Sequence, residues 1–246
     1  MEFTKEDIFL VSGASSGIGQ GVAIKLIQEG ATVIATGRSL EKLEETKKLC
    51  NNSENIFLEP KNLTENIDEL PFWVKVLKEK YGKLRGLICC AGIIDVKPLQ
   101  MLEEMYVKKL FDINYFVPVF LAKGFADKRN NIGQGSSITF IASIAAILGD
   151  KGQIAYGGSK AALITSAKSM SHELASRKIR VNTISPGDID TPMNKQAIEE
   201  YNHTTSERYT YGIGSVEDIA NMTAFLVSDK ARWITGQNYI MDGGYI

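Results

Sequence analysis

Short apolar runs bounded by Gly and Ser alternate along the chain with longer stretches of helical cadence. The apolar runs are Ile8–Ser12, Thr32–Thr36, Ile56–Glu59, Gly86–Cys90, Ile138–Ala142, Arg180–Ser185 and Asn238–Met241. Helix-like segments fall near Gly17–Glu29, Leu40–Leu49, Glu65–Tyr81, Leu102–Phe125, Tyr156–Ser176 and Val216–Ser228. This alternation predicts βαβ units and hence a doubly wound, Rossmann-type α/β fold: about seven parallel strands with helices on both faces. No linker, internal repeat or low-complexity tract divides residues 1–246, so one domain is expected.

Composition narrows the function classes. The 246 residues are 44% hydrophobic and 23% charged, ordinary for a soluble globular protein with a substantial core. A formal net charge of −1 provides no attraction for nucleic acid or an anionic membrane. The acidic, polar segment Glu2–Asp7 is unlike a signal peptide, and no apolar run of about 18 residues predicts a membrane span. A cytoplasmic location is expected. Cys50, Cys89 and Cys90 match no metal-ligand spacing and are expected as reduced thiols, the adjacent pair as small strand residues. With only His172 and His203 present, a histidine metal site is not expected.

The first apolar run leads into Ser12-Gly13-Ala14-Ser15-Ser16-Gly17-Ile18-Gly19 and then a helix. Gly13 permits a sharp turn, and Gly17 and Gly19 permit close approach of backbone to phosphate and of helix to sheet. The helix N-terminus offers unpaired N–H groups to a pyrophosphate. Its G-x-x-x-G-x-G spacing differs from the commoner G-x-G-x-x-G.

A second constellation lies further along. Tyr156 and Lys160 stand four residues apart, one helical face if the segment is helical, with Ser143 thirteen residues upstream. An ammonium beside a phenol is expected to lower its pKa from about 10 and make it a proton donor and acceptor for a substrate oxygen. Alone, the spacing is a weak signal, and a helix with a half-exposed Tyr and a solvated Lys is its ordinary meaning. The glycine loop and Ser143 both follow candidate strands, which brings the motifs to the rim where doubly wound sheets bind ligands.

Taken together, these motifs resemble the short-chain dehydrogenase/reductase family in its compact form, most of all its 3-oxoacyl-carrier-protein reductase group. Cys90-Ala91-Gly92, Asn114, Pro186-Gly187, Thr191 and the tail Gly236-Gln237 through Asp242-Gly243-Gly244 extend the resemblance over essentially the whole chain. It implies a catalytic group of Asn114, Ser143, Tyr156 and Lys160. It also implies a cofactor site built from Gly13, Ser15, Ser16, Gly17, Ile18, Gly19, Arg38, Asn62, Leu63, Ala91, Gly92, Tyr156, Lys160, Pro186, Gly187, Ile189 and Thr191. In this resemblance Tyr156 exchanges a proton with the substrate oxygen, Ser143 hydrogen-bonds it, and Lys160 lowers the phenol pKa and bonds the nicotinamide ribose. Thr191 and the backbone after Pro186-Gly187 bond the nicotinamide carboxamide.

NAD-preferring relatives usually carry a carboxylate where this chain has Gly37, and Arg38 follows with a planar fork suited to a phosphate, so NADP(H) is expected over NAD(H). Two departures are Asn62, where relatives often have Asp against adenine, and Cys89-Cys90, where they often have two asparagines. Pro118 deprives the Asn114 carbonyl of its i+4 donor. That frees it to hold a water relaying protons to Lys160, or merely bends a long helix. The polar, Tyr-rich segment 194–214 is the expected substrate lid, and a homo-oligomer, tetramer or dimer, is implied through Leu102–Phe125 and the Tyr156 helix. The expected activity is interconversion of a small-molecule ketone and a secondary alcohol, with a 3-oxoacyl thioester the first class to test and a sugar or other small ketone the alternative. A nucleotide sensor on the same fold is the rival from another class.

Overall fold

The computed structural model describes residues 3–51, 53–201 and 209–245. Its strands are β1 (Ile8–Ser12), β2 (Thr32–Gly37), β3 (Ile56–Pro60), β4 (Leu84–Cys89), β5 (Ser137–Ile141), β6 (Arg180–Pro186) and β7 (Asn238–Met241). They form one sheet in the order β3-β2-β1-β4-β5-β6-β7, parallel throughout. The order reverses between β1 and β4, which opens a crevice at their carboxyl ends. The strands coincide with the seven apolar runs: β1 and β7 match at both ends, and the other five differ by at most two residues at an end.

The helices are α1 (Gly17–Gln28), α2 (Leu40–Leu49), α3 (Leu70–Tyr81), α4 (Glu104–Phe111), α5 (Val117–Ala126), α6 (Ala145–Leu148), α7 (Ile154–Glu173), α8 (Pro192–Tyr201) and α9 (Val216–Val227). Because side chains alternate along a strand, β1 serves two cores. Leu10 joins Val74, Leu77, Leu121, Phe125 and Leu163 beneath α3, α5 and α7. Phe9 and Val11 face the opposite way, towards Val22, Leu26, Leu43 and Ala224 from α1, α2 and α9. Burying each large apolar side chain contributes about 1.5–3 kcal/mol, so the two layers pin both rows of helices to the sheet.

Two helical expectations need correction. The segment expected from Glu65 becomes regular only at Leu70, where Pro71 fits the first turn, and Ile67–Glu69 is a 3-10 turn. The stretch Leu102–Phe125 is not one helix. Leu102 and Glu103 are extended, α4 begins at Glu104, and a π-helical turn at Asp112–Phe116 separates α4 from α5. Within it the Val117 N–H donates to the Asp112 carbonyl, an i to i+5 bond. Pro118 cannot donate to the Asn114 carbonyl, and the helix widens by one residue there. In the expected lid, α8 occupies the first part, residues 202–208 lie outside the described residues, and the chain returns at Tyr209.

Candidate active site

The crevice at the switch point is lined by the glycine-rich loop. A β-carbon on Gly13, whose φ is +71°, would lie 2.7 Å from the Ala91 nitrogen, and one on Gly19 would lie 2.3 Å from the Gly13 carbonyl oxygen. Only glycine lets β1, α1 and the end of β4 meet this closely. Ser12 completes the junction: its carbonyl accepts from the Cys90 N–H at 3.2 Å, and its hydroxyl from the Ala91 N–H at 3.3 Å. Ser16 precedes α1 without capping it, and no acidic residue stands in the first turn. By contrast α2 is capped by Ser39, and α9 by a reciprocal Ser215–Asp218 box. The first N–H groups of α1 thus lack a side-chain acceptor at the cleft, which fits an anionic phosphate.

Gly13, Ser15, Ser16, Gly17, Ile18, Gly19, Arg38, Asn62, Leu63, Ala91, Gly92, Ser143, Tyr156, Lys160, Pro186, Gly187, Ile189 and Thr191 all line this one cleft. Gly37 lies against the loop so closely that a β-carbon would sit 2.9 Å from Ser15 Oγ. Asn62 is locally engaged: its amide nitrogen donates to Glu65 at 2.8 Å, and its oxygen accepts from the Thr64 hydroxyl at 2.9 Å.

Asn114 is the one predicted site residue outside the cleft lining. It is wholly buried behind the cleft, in the π turn. Its Oδ1 accepts from the Ile93 N–H and its Nδ2 donates to the Ile93 carbonyl, both at 3.0 Å. Nδ2 also donates to Ser159 Oγ at 3.2 Å, and that hydroxyl donates to the Tyr156 carbonyl at 2.7 Å. Asn114 therefore ties Ile93, in the loop after β4, to the turn of α7 that carries Tyr156 and Lys160.

Lys160 is 5% exposed and donates from Nζ to the Ile141 carbonyl at 2.9 Å, with Nζ 5.9 Å from the Tyr156 ring centroid. Burial lowers its pKa to about 8, against a smaller upward pull from Cys90 and Cys89. For Tyr156 the expected depression is not what the fold produces. Burial raises the phenol, the Ser143 hydrogen bond lowers it by less, and the Asp188 carboxylate raises it further. Desolvation of a phenolate outweighs the Ser143 hydrogen bond, and the Lys160 ammonium is directed at the Ile141 carbonyl. The result is a neutral phenol beside a hydroxyl, an arrangement able to give a proton to a carbonyl oxygen.

Sequence reasoning missed several neighbours. Lys61 and Lys109 bring cations to the cleft, and Asp188 brings an anion. Ser159 was signalled only by its place one turn after Tyr156. Cys90 lies past the end of β4 and lines the cleft, where burial pushes its thiol up to about 12. Among the described residues no helix is long and apolar enough to cross a membrane.

A phosphate-ready loop at the switch point, opening beside a hydroxyl–phenol–ammonium group, defines a nicotinamide-nucleotide-dependent oxidoreductase. Comparison with known proteins agrees. Residues 13–246 match the family model described as enoyl-(acyl carrier protein) reductase. The chain is 34% identical to the 3-oxoacyl-(acyl-carrier-protein) reductase FabG of Thermotoga maritima, covering 97% of each chain. It is 36% identical to that of Rickettsia conorii, covering 96% of this chain and 95% of the relative. A solved short-chain dehydrogenase/reductase from Mycobacterium ulcerans superposes with a TM-score of 0.89 at 33% identity, over 100% of this chain and 91% of its own. A second, a glucose/ribitol dehydrogenase from Brucella melitensis, has a TM-score of 0.91 at 27% identity, over 100% and 99%. The chain belongs to the short-chain dehydrogenase/reductase family and most resembles its 3-oxoacyl-carrier-protein reductases. It is an NAD(P)-dependent oxidoreductase acting on CH–OH groups, interconverting a ketone and a secondary alcohol.

Proposed function

We propose that the chain reduces its ketone with NADPH, and that a 3-oxoacyl thioester is the first substrate class, as in the FabG relatives' names. The observation that carries the reaction is the hydrogen-bonded Ser143–Tyr156 pair beside Lys160 at the mouth of the phosphate-ready cleft. When bound, the nicotinamide supplies hydride to the carbonyl carbon. Tyr156 gives its phenolic proton to the carbonyl oxygen, and Ser143 hydrogen-bonds that oxygen as negative charge develops. Lys160 holds the nicotinamide ribose and restores the tyrosine proton. Asn114 positions this group through Ile93 and Ser159, and its main-chain carbonyl, which Pro118 cannot serve, accepts a relay water. Thr191, Ile189 and the backbone after Pro186-Gly187 hold the carboxamide end.

The preference for NADP(H) rests on Arg38 and Lys61, both at the cleft, and on a Gly37 position that Ser15 crowds. These cations suit a 2′-phosphate dianion, and no carboxylate stands at Gly37 to repel it. A homotetramer is supported by exposed Met105, Phe116 and Ile154 on α4, the π turn and α7.

The test is NADPH and NADH oxidation with a ketone panel that includes a 3-oxoacyl thioester, for wild type and Tyr156→Phe. Turnover that favours NADPH and collapses in the variant is expected. Tight NADPH binding without turnover of any ketone, unchanged in the variant, would instead favour a nucleotide sensor.

A further inference from the structure

The segment after β6 brings its backbone to the cleft and is held from behind. Gly187, Ile189 and Thr191 line the cleft, and Ile189 forms a parallel bridge with Gly214. The Gly214 N–H donates to the Asp188 carbonyl at 3.0 Å, and the Asp190 N–H donates to the Gly214 carbonyl at 2.9 Å. In such a bridge the flanking residues carry both bonds, so the N–H of Ile189 itself faces away from Gly214. The bridge does not reach the Asp188 N–H, and a side chain takes it instead. That N–H donates to the Tyr209 hydroxyl at 3.0 Å. The same hydroxyl is hydrogen-bonded to the Asp188 carboxylate, so it accepts from the backbone and donates to the side chain of one residue.

Tyr209 is itself tightly placed, at 6% exposure. Its ring fills the space beside Gly187, where a β-carbon would lie 2.8 Å from Tyr209 Cε1 and 3.0 Å from the Asp242 α-carbon. Tyr245 packs against the ring, with centroids 4.8 Å apart. Two backbone bonds join the same parts: the Tyr211 N–H donates to the Gly243 carbonyl at 3.1 Å, and the Gly187 N–H to the Met241 carbonyl at 2.9 Å. The turn after β7 therefore backs Tyr209, and Tyr209 backs Asp188. An amide deprived of its partner in so packed a place is costly, so the segment would move if the hydroxyl were lost.

We propose that Tyr209 is a positioning residue for the nicotinamide end of the cleft: by holding both the N–H and the carboxylate of Asp188, it sets the line of backbone from Gly187 to Thr191. The inference rests on the reading that this segment receives the carboxamide, and deepens it by naming what fixes the segment. Asp188, not Tyr209, lines the cleft, so Tyr209 acts through Asp188. The phosphate end is built on other elements, the β1–α1 loop and Arg38, and its hold on a ligand should not depend on Tyr209.

The test is calorimetric titration of the full chain with NADPH and with 2′-phospho-ADP-ribose. The second ligand keeps the adenosine, 2′-phosphate and pyrophosphate but lacks the nicotinamide ring. In Tyr209→Phe the affinity for NADPH is expected to fall about tenfold, because the relaxed segment has to be drawn back into line on binding. The affinity for the fragment should stay within about twofold. Tyr245→Leu, which removes only the backing ring, should show the same split in smaller measure, and it carries the test if the phenylalanine variant does not fold. The two changes combined should cost less than the product of their separate effects, since both act through one hydroxyl. An equal loss for both ligands would mean that Tyr209 supports the cleft as a whole, and overturns the inference; so does NADPH affinity unchanged in both variants. The titration needs no ketone, so these outcomes are read whether or not a substrate is found. Wild-type protein that binds neither ligand overturns the reductase reading itself, and the inference with it.

Discussion

Gly92 and Asn114 are in contact: a β-carbon on Gly92 would lie 2.9 Å from Asn114 Oδ1 and 3.4 Å from Lys160 Nζ. Asn114 cannot yield, because both ends of its amide are bonded to Ile93. Gly92→Ala should therefore displace the amide or the ammonium. The expected loss is about 1–3 kcal/mol of stability with at least a tenfold fall in kcat/KM. Urea unfolding and steady-state kinetics measure the two effects; a variant that keeps both values would show that the contact relaxes freely.

Tyr156 leads to a pH prediction. Its folded pKa is raised, mainly by burial, so the phenol remains protonated through neutral pH. Reduction, which needs the phenol, should hold its rate across neutrality. Alcohol oxidation needs the phenolate, and should keep climbing as pH rises towards and past about 10, the ordinary tyrosine value. Rate profiles in both directions check this. An oxidation plateau near neutral pH would mean that the bound cofactor restores the depression expected from Lys160. Tyr156→Phe should cost at least about a hundredfold in either direction.

Lys160 leads to a stability prediction of opposite sense to the usual lysine. Burial lowers its folded pKa to about 8, from the ordinary lysine value of 10.5. Between those values the unfolded chain binds more protons than the folded one, so stability rises with pH. Below about 8 both states carry the charge, and the folded state bears the whole desolvation cost, of order 3 kcal/mol. Lys160→Met should be more stable than wild type at neutral pH, and should lack the rise between about pH 8 and pH 10. Urea midpoints across that range for the two proteins measure it.

Arg38→Ala should raise KM for NADPH about tenfold or more while leaving NADH nearly unaffected, as a charge-assisted bond to the 2′-phosphate requires. Equal effects on both cofactors would remove Arg38 from that role. Gly37→Asp alone should be a poor route to NADH use, because its β-carbon meets Ser15 Oγ at 2.9 Å. Pairing it with Ser15→Gly should improve the NADH to NADPH ratio over the single change.

The strands and the cofactor loop were legible because each depends on local rules: runs of about five apolar residues, and glycines where no β-carbon fits. Tyr156 and Lys160 were legible as a pair for the same reason, since four residues in a helix determine their common face. The electrostatics of that pair were not. The phenol pKa depends on burial and on Asp188, which arrives from the loop after β6, and on the direction in which the Lys160 ammonium points. Pro118 announced that a hydrogen bond is lost, but not whether the chain would kink or widen. Tyr209 was legible only as part of a Tyr-rich stretch; its bond to the Asp188 N–H exists only once the segment after β6 is packed.

The π turn at Asp112–Phe116 amounts to one residue inserted into an otherwise continuous helix. Each residue of an α-helix turns the chain by about 100°, so this insertion sets the angular phase between α4 and α5. Tyr106 and Leu110 on one side, and Leu121 and Phe125 on the other, each remain buried while Asn114 is brought beneath Ile93. This part of the site is encoded in the length of the chain rather than in any side chain. Point substitutions will test Asn114 itself, but only a one-residue deletion between Asp112 and Phe116 addresses what puts it there.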